Sequence, residues 1–492
     1  MHKNKSYFFC GIGGSGMLPL ANIVRDAGAT VAGSDRALDQ GRLGPKFEWL
    51  QSLGIALFAQ DGSGLVSGDQ ILIASAAIED SVLDIAKANA LSCERMTRAE
   101  LLADLFNAAP CSVAVGGTSG KSTVTGMIGW ILTDAGLDPT IMNGAVIKNF
   151  VGENAPFASA RVGQGEVFVS EVDESDGSIA LFTPEVAVLN NVSLDHKSLE
   201  ELRQLFGDFA KNAKCCVWNA DDAETVALMA TLSPLPFRGG DGGGGCPSGA
   251  VFADKPHPNP SPKEEGLKSI SFGFTPQADI RATDITDLPL GSRFTLHAQG
   301  ETHRVELIVP GRHNIANALA AIAAATALGV PAAQAVNGLE RFNGLARRFD
   351  IVGTANGITV IDDFGHNPDK IAATLSTLKA FPGRIIAFFQ PHGYGPIRNM
   401  GTELAAVFAD MLGEDDHLIL CDPVYFGGTV DKSIGSQSIT DAVSERAEYI
   451  PAREDCGNRI VALARPGDRI VIMGARDDTL SAFAADVLSR LN

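Results

Sequence analysis

The sequence lacks a long apolar run, an excess of basic residues and any C-x-x-C pair. No apolar stretch approaches the roughly 18 residues of a membrane span, and the first residues contain no apolar core typical of a signal peptide. The formal net charge of −19 argues against a broad nucleic-acid-binding face and against binding to anionic membranes. Eight cysteines without disulfide or metal spacing are typical of reduced thiols. We therefore expect a cytoplasmic protein, a monomer or a homodimer, that binds neither nucleic acid nor a membrane.

The length and the alternation of apolar segments predict an α/β protein of several domains. A chain of 492 residues corresponds to about three domains, and 45% hydrophobic residues suffice for a packed core. Strand-like runs alternate with helix-like segments in three stretches. We place the domains at residues 1–108, 109–344 and 345–492.

One stretch of the middle domain breaks this pattern. Residues 238–266 are dominated by Gly, Pro and Ser and show no period, which predicts a flexible surface insertion without a chemical role. Short strand-like pieces follow it at 269–274, 293–297 and 304–309, and they favour a small antiparallel patch.

The most informative segment is VAVGGTSGKSTVT, residues 113–125. A buried strand, a glycine-rich turn, Lys121-Ser122 and a helix follow one another, an order that suits a nucleoside triphosphate. The lysine would reach the β- and γ-phosphates and the serine hydroxyl would lie on Mg²⁺. Because Val115 occupies the first position of G-x-x-x-x-G-K-[ST], only the shorter G-T-x-G-K-[ST] is present. The alternative is a glycine-rich turn with an exposed lysine.

A second glycine loop lies near the start of the chain. The segment from Gly11 to Gly16 fits G-x-G-x-x-G after a strand, and Asp35 ends the next strand. This pattern indicates a phosphate diester at a helix N-terminus more securely than it indicates NAD. An oxidoreductase is the alternative, but it leaves the Lys121 loop unexplained.

Polar clusters follow several later strands, where the carboxyl ends of a parallel sheet place functional groups. Glu171 opens an acidic run after the strand at 166–170, which suits Mg²⁺ ligands or a solvated turn. His196 beside Asp195 is equally a metal ligand or a loop histidine. The third domain repeats the arrangement after its strands at 357–361 and 384–389.

These motifs, in this order, resemble the Mur ligase family over nearly the whole chain except 238–266. The matching segments are GIGGSGM at Gly11, RAELLADLF at Arg98, GTSGKST at Gly117, EVDESD at Glu171, NVSLDH at Asn191, PGRHNIANALAA at Pro310, FNGLARRFD at Phe342, IDDFGHNP at Ile361 and FQPHGY at Phe389. The resemblance implies a three-domain architecture with a Rossmann-like N-terminal domain, a central P-loop ATPase-like domain and a Rossmann-like C-terminal domain. It also implies the cofactors ATP and Mg²⁺.

The reaction that the resemblance implies is the ATP-dependent joining of an amino acid to the carboxylate of UDP-N-acetylmuramate through an acyl phosphate. The motifs are most similar to those of the family members that add L-alanine. This reaction belongs to peptidoglycan precursor synthesis, and hence to cell-wall biogenesis, cell shape and cell division. The UDP-sugar acid and the amino acid would be the small-molecule partners.

The resemblance also implies residue roles. The UDP-sugar would contact residues of the first domain, namely Gly13, Gly14, Ser15, Gly16, Asp35 and Ser75. ATP would be held by the second loop and four later residues, namely Gly117, Thr118, Ser119, Gly120, Lys121, Ser122, Thr123, Asn314, Asn317, Arg348 and Asp363. Metal ligands would be Ser122, Glu171 and His196, and the catalytic set would be Lys121, Glu171, His196 and Arg348. The C-terminal domain would close over ATP and bind the amino acid, with His366 and Arg398 as candidates.

Several positions depart from the pattern of the alanine-adding members. Ser119 and Ser122 stand in place of His and Thr, and the serine hydroxyl can still ligate Mg²⁺. Gly393 and Gly395 replace Arg and Thr near the incoming amino acid, and two further replacements lie close by, namely Phe364 for Tyr and Asn367 for His. Two alternatives therefore stay open: a paralogue that uses another amino acid or a peptide, and a nucleotide-binding paralogue without ligase activity.

Overall fold

The computed structural model describes residues 3–75, 78–193, 197–232, 267–425, 431–443 and 445–491. Within them the chain forms two compact units. The first unit is Met1–Thr286, Ser292–Ile308 and Arg312–Gly344, and the second is Asp287–Gly291, Val309–Gly311 and Leu345–Asn492. The predicted insertion at 238–266 lies outside the described residues. None of the helices in these ranges is both long enough and apolar enough to span a bilayer.

The first unit begins with a five-stranded parallel sheet in the order β3-β2-β1-β4-β5. Its strands are β1 Ser6–Cys10, β2 Thr30–Ser34, β3 Ala56–Phe58, β4 Gln70–Ala74 and β5 Arg95–Thr97. The helices are α1 Met17–Asp26, α2 Arg36–Asp39, α3 Gly44–Ser52, α4 Leu83–Leu91 and α5 Arg98–Asn107. The side chains of Tyr7, Phe8 and Phe9 are fully buried, as expected of a central strand covered on both faces. The order is that of a Rossmann-like sheet, with the first glycine loop at the carboxyl end of β1.

The same unit contains a ten-stranded sheet in the order β15-β14-β13-β12-β11-β10-β6-β9-β7-β8. Its strands are β6 Cys111–Gly116, β7 Thr140–Met142, β8 Ala160–Arg161, β9 Val167–Glu171, β10 Val186–Leu189, β11 Cys215–Asn219, β12 Lys268–Gly273, β13 Ile280–Leu288, β14 Gly291–Ala298 and β15 Glu301–Leu307. The helices are α6 Lys121–Asp134, α7 Leu199–Lys211, α8 Ala223–Leu232, α9 Arg312–Ala327 and α10 Ala332–Leu339, with 3-10 turns at Lys148–Phe150 and Ser178–Leu181. Strand β6 lies between β10 and β9 and pairs with both in parallel.

One prediction for this sheet is partly wrong. The strand expected at 269–274 does not belong to an antiparallel patch, because β12 pairs in parallel with β11 and so extends the main sheet. Strands β14 and β15 do form the expected antiparallel pair. A parallel pairing is possible because the connection between β11 and β12 is long enough for a crossover.

The second unit contains a six-stranded sheet in the order β16-β17-β21-β18-β19-β20. Its strands are β16 Asp350–Ala355, β17 Ile358–Asp363, β18 Ile385–Gln390, β19 His417–Leu420, β20 Ala447–Tyr449 and β21 Arg469–Gly474. The helices are α11 Pro368–Lys379, α12 Tyr394–Met411, α13 Gln437–Val443, α14 Arg453–Leu463 and α15 Leu480–Ser489. Strands β16 and β17 form an antiparallel hairpin through Asn356-Gly357, and both turn residues have positive φ. The three sheets confirm the predicted α/β class.

Candidate active site

The Lys121 loop leaves the carboxyl end of β6 and enters α6 directly. Gly117 and Gly120 adopt φ of +135° and +81°, which an L side chain rarely adopts. A Cβ at Gly120 would lie 2.5 Å from Asn190 Nδ2 and 2.6 Å from Asn317 Oδ1. The second glycine of the motif is therefore required by conformation and by space.

Two asparagines that follow β10 hold the loop in shape. The Asn191 Oδ1 atom accepts hydrogen bonds from the Ser119 backbone N–H at 2.8 Å and from the Thr118 hydroxyl at 2.9 Å. The Asn190 Nδ2 atom donates to the Ser119 carbonyl at 2.9 Å. Neither asparagine was predicted to have a role. Their position directly after a buried strand adjacent to β6 was the available signal.

The ammonium group of Lys121 is held on both sides within the protein. It donates to the Gly117 carbonyl at 2.8 Å and forms an ion pair with Glu174 Oε2 at 2.6 Å. The Glu174 residue is only 4% exposed, and this burial raises the pKa of its carboxyl although the charge of Lys121 acts in the opposite direction. The lysine charge is therefore balanced by a carboxylate that the sequence analysis did not single out.

Ser122 and Glu171 meet at the start of the same helix. The Ser122 hydroxyl donates to Glu171 Oε2 at 2.7 Å, with Glu171 at the last position of β9, next to β6. At Gly144 a Cβ would clash with Glu171 Oε1, so glycine there leaves room for the carboxylate. A hydroxyl and a carboxylate oxygen side by side are a donor set that suits Mg²⁺.

The remaining predicted metal ligand cannot be placed. His196 and its neighbour Asp195 lie outside the described residues, so the role of His196 stays a prediction. Across the described ranges, no group of three or more His, Cys, Asp or Glu side chains could hold a metal ion. A magnesium ion at Ser122 and Glu171 would thus need other oxygen ligands, such as phosphates.

A small cavity opens beside Lys121 and Glu171. Its volume is about 70 Å³, and it is lined by residues from α5, α6 and the segment after β9, namely Arg98, Ala99, Leu102, Lys121, Glu171, Val172, Asp173, Ser178 and Phe182. Burial tends to raise the pKa of Asp173, but hydrogen bonds from Ser175 and the charges of Lys121 and Arg98 outweigh it and hold that pKa below the ordinary value. The cavity is thus lined by two cations and two carboxylates.

The two asparagines predicted to contact adenine lie near the Lys121 loop. Asn314 and Asn317 are 5% and 4% exposed on α9. The Asn317 Oδ1 atom accepts from Asn190 Nδ2 at 3.1 Å, and its Nδ2 donates to Asn314 Oδ1 at 3.3 Å. These amide groups link α9 to the Lys121 loop, and the contact with adenine stays a prediction.

The first glycine loop is tied to the end of β2. The Gly13 N–H donates to Asp35 Oδ2 at 2.8 Å, while Asp35 Oδ1 caps α2 by accepting from Ala37 N at 2.8 Å. Buried Lys46 donates to the Gly13 carbonyl at 3.1 Å, a contact that the sequence analysis missed. Asp35 therefore shapes the loop in this structure.

The other predicted sugar-nucleotide contacts lie at the carboxyl edge of the same sheet. Gly14, Ser15 and Gly16 complete the turn before α1, with Gly16 as its N-cap residue. Ser75 follows β4 and is exposed. The structure thus brings the predicted residues to one edge of the first sheet.

In the second unit, two arginines lie on one phenylalanine. The guanidinium carbons of Arg347 and Arg348 are 5.0 Å and 4.2 Å from the centre of the Phe364 ring. Arg347 is 9% exposed and has φ of +61°. It donates to the Gly474 carbonyl at 2.7 Å, which anchors the residue that precedes Arg348.

Asp363, predicted to contact ribose, is engaged inside its own unit. Its oxygens accept from the backbone N–H groups of Phe349 and Gly365, each at 2.8 Å, and from the Thr374 hydroxyl at 2.9 Å. The carboxylate thereby joins the start of β16, the end of β17 and α11. The ribose contact stays a prediction.

The two residues proposed for the amine differ in their surroundings. The His366 Nδ1–H donates to the Phe364 carbonyl at 2.8 Å, its ring lies 5.1 Å from that of His392, and burial lowers its pKa to about 3. His366 is thus neutral near pH 7. Arg398 forms an ion pair with Asp431 at 3.1 Å on the surface of α12.

Comparison with known proteins gives matches along nearly the whole chain. Three family models match in order: "Mur ligase family, catalytic domain" at residues 6–109, "Mur ligase middle domain" at 115–237 and 249–325, and "Mur ligase, glutamate ligase domain" at 347–476. The UDP-N-acetylmuramate–L-alanine ligase of Phenylobacterium zucineum is 33% identical, with 97% of this chain and 94% of that protein covered. The ligase of the same name from Agrobacterium fabrum is also 33% identical, with 97% and 95% covered.

Solved structures show the same fold at lower identity. The UDP-N-acetylmuramate-alanine ligase of Thermotoga maritima matches with a TM-score of 0.75 at 23% identity, covering 99% of this chain and 98% of that one. A murein peptide ligase from Psychrobacter arcticus matches with a TM-score of 0.68 at 22% identity, covering 99% of both chains.

Proposed function

The chain belongs to the Mur ligase family, and from that premise we propose that it is an ATP-dependent ligase joining L-alanine to UDP-N-acetylmuramate. The relatives that align with it from end to end carry that activity in their names. The observation that carries the proposal is local: Lys121, Ser122 and Glu171 converge beside a cavity at the carboxyl edge of a parallel sheet. Phosphorylation of a carboxylate by ATP requires such groups, namely a cation for the phosphates and oxygen ligands for Mg²⁺.

The chemistry follows from the weakness of a carboxylate as an electrophile. A carboxylate oxygen attacks the γ-phosphorus of ATP, ADP leaves, and the acyl phosphate forms. The amine of the amino acid then attacks the acyl carbon, and the tetrahedral intermediate expels phosphate and loses a proton to give the amide. Lys121 would neutralise charge on the transferring phosphoryl group, where preorganised positive charge lowers the barrier most.

We propose that Ser122 and Glu171 hold the Mg²⁺ that accompanies ATP, with His196 as a further ligand. The hydroxyl and carboxylate 2.7 Å apart support this, since hard oxygen ligands suit the ion. When bound, the ion would neutralise phosphate charge. Glu171 would orient the Ser122 hydroxyl, and Asn191 would keep the loop amides in place.

The remaining roles are proposed by position. Gly13, Gly14, Ser15, Gly16 and Ser75 would hold the UDP part of the sugar acid, with Asp35 fixing the loop through Gly13. Asn314 and Asn317 would contact adenine. In the second unit we propose Arg348 for phosphate, Asp363 for ribose, and two residues for the amine, namely His366 and Arg398.

Domain limits, location and assembly are also proposals. The three sheets occupy residues 6–97, 111–307 and 350–474, which agrees with domain limits at 1–108, 109–344 and 345–492. We propose a cytoplasmic protein that acts as a monomer or a homodimer and binds neither nucleic acid nor a membrane, in keeping with its net charge of −19.

A second candidate concerns only the amine. Gly393 has φ of +144°, and at Gly395 a Cβ would meet nothing within 4 Å. The alanine-adding members place Arg and Thr at these two positions, so this chain lacks both side chains there, and Gly395 leaves open space. This favours, as the alternative, a ligase of the same kind that accepts a different amino acid or a peptide.

The test is a ligation assay with a panel of amines. Purified protein is incubated with UDP-N-acetylmuramate, ATP, Mg²⁺ and, in separate reactions, L-alanine, glycine, L-serine and a short peptide. We expect ADP and phosphate in equal amounts with a product of the mass of the amide, formed fastest with L-alanine. Fastest turnover with another amine would select the second candidate, and no amide with any amine would contradict both.

A further inference from the structure

Arg98 is a cation that the proposed mechanism does not yet use. It is the first residue of α5, which starts with a capping box: the Glu100 N–H donates to the Thr97 hydroxyl at 3.1 Å, and the Thr97 N–H donates to Glu100 Oε2 at 2.7 Å. The last turn of α5 is fixed as well, because the Phe106 ring packs 5.7 Å from Phe168 and 5.3 Å from Phe182. The base of the Arg98 side chain is therefore held on a rigid helix between the first and second sheets.

The Arg98 side chain lies against the first glycine loop. A Cβ at Gly16 would be 2.9 Å from its Cδ, 3.3 Å from its Nε and 3.4 Å from its Nη1. The absence of a side chain at Gly16 thus leaves space for the guanidinium group. The same arginine lines the cavity that also contains Lys121 and Glu171. One residue therefore reaches from the loop proposed for the sugar nucleotide to the site proposed for ATP.

No carboxylate of the cavity pairs directly with the guanidinium group, although its charge, together with that of Lys121, helps to lower the pKa of Asp173. Glu171 accepts the Ser122 hydroxyl, and Asp173 Oδ1 accepts the N–H and hydroxyl of Ser175. In the part of the chain that the structure describes, Arg98 forms no hydrogen bond or ion pair through its side chain, although the residue is half-buried. An arginine carries five N–H donors, so this guanidinium group can bind an anion without first breaking a hydrogen bond inside the protein.

The acceptor must suit a small cavity that is open to solvent. The volume of about 70 Å³ admits a few water molecules, at roughly 10–15 Å³ each by the same measure. A carboxylate group fits this space. Arginine pairs with a planar carboxylate through two parallel N–H···O bonds.

We propose that Arg98 binds the carboxylate of the UDP-sugar acid in this cavity and presents it to the phosphoryl group that Lys121 holds. The inference rests on the proposed function, because it assigns a residue to the substrate acid of that reaction. It makes Arg98 a substrate-binding residue on the sugar-acid side, distinct from the nucleotide loop.

Calorimetric titration without ATP tests this assignment. UDP-N-acetylmuramate and UDP are titrated separately into the unmodified protein, Arg98→Ala, Arg98→Lys and the control Arg95→Ala. Arg95 lies three residues earlier and forms an exposed ion pair with Asp80. We expect Arg98→Ala to raise the Kd of UDP-N-acetylmuramate by about 10- to 100-fold, the effect of losing a charge-assisted hydrogen bond, and to leave the Kd of UDP unchanged.

The other variants separate the charge of Arg98 from its geometry. Arg98→Lys should weaken the binding of UDP-N-acetylmuramate by less than Arg98→Ala, because lysine keeps the charge but lacks the paired N–H donors of a guanidinium group. Arg95→Ala should change neither Kd. If Arg98→Ala does not fold, as judged by its melting temperature, Arg98→Lys and Arg98→Gln carry the comparison.

Two results would overturn the assignment of Arg98 and one would overturn its premise. If Arg98→Ala weakened the binding of UDP and of UDP-N-acetylmuramate equally, Arg98 would contact the pyrophosphate. If it weakened the binding of neither ligand, Arg98 would not contact the substrate. Failure of the unmodified protein to bind UDP-N-acetylmuramate would instead contradict the proposed function itself, and the assignment with it.

Discussion

The two glycine loops of the first unit share a backbone plan and differ in what surrounds it. Each follows a buried strand with parallel neighbours on both sides and runs into a helix, β1 into α1 and β6 into α6. At the first loop a carboxylate, Asp35, accepts a loop N–H. At the second loop the neutral amide of Asn191 does so, and a lysine and a serine open the helix.

In our proposal a glycine loop supplies the space and the amides for phosphate oxygens, and the residues that follow the loop decide which phosphate is bound. Helix α1 opens with Met17 and Leu18, which are buried, so the first residues of this helix offer no side chain for a metal-bound triphosphate. Helix α6 opens with Lys121 and Ser122, which neutralise charge and ligate Mg²⁺ in our proposal.

The largest expected effect separates the loops at Lys121. Lys121→Ala removes the ammonium group that would stabilise the transferring phosphoryl group, and it should lower kcat by roughly 10²-fold or more. The Kd of UDP-N-acetylmuramate, measured by calorimetry, should stay nearly unchanged. Loss of sugar-nucleotide binding with turnover intact would mean that the two loops have been assigned the wrong way round.

The next effect concerns the metal ligands of the second loop. Glu171→Gln keeps the size of the side chain and removes its charge, so we expect kcat to fall by about 10- to 100-fold and the Mg²⁺ concentration for half-maximal rate to rise. Glu166→Gln, just before the same strand and exposed, is the control. An unchanged Mg²⁺ dependence in Glu171→Gln would exclude Glu171 from the metal site.

A smaller effect is expected at the first loop. Asp35→Ala removes the acceptor of the Gly13 N–H and the cap of α2, and should lower the free energy of unfolding by about 1 kcal/mol. Urea unfolding measures this change, and calorimetry should show altered UDP binding with ATP binding intact. A change in ATP binding without a change in UDP binding would contradict the assignment of UDP to the first loop.

The smallest effect is expected at a third glycine turn, after β18 in the second unit. Gly393→Arg would be strained, because φ is +144° there, whereas Gly395→Thr has space for its Cβ. Gly395→Thr should shift kcat/KM among L-alanine, glycine and L-serine by a few-fold, the scale of one methyl group in a pocket. Identical amine preference before and after the change would show that this turn does not contact the amine.

Local sequence patterns predicted the two loops well, but they did not predict contacts between residues far apart in the sequence. The strand, turn and helix around Lys121 follow from apolar runs and positive-φ glycines, which act within a few residues. The ion pair between Lys121 and Glu174 joins residues 53 positions apart, and no local signal distinguishes Glu174 from the other acids of its turn. The sheet partner of β12 was missed for the same reason.

One omission was avoidable. The Asn356-Gly357 pair between two apolar runs is a strong signal for a two-residue hairpin, and it predicts β16 beside β17. For Asp363 no sequence signal indicated the three hydrogen bonds that it accepts within its own unit, and its contact with ribose stays a prediction.

The most direct test of the account is whether the two loops bind two ligands at once. A non-hydrolysable ATP analogue with Mg²⁺ is titrated into the unmodified protein, with and without saturating UDP-N-acetylmuramate, and the Kd is measured by calorimetry. We predict that the analogue binds with equal or higher affinity when the sugar nucleotide is present. Competition, in which saturating UDP-N-acetylmuramate displaces the analogue, would contradict the assignment of separate sites to the two loops.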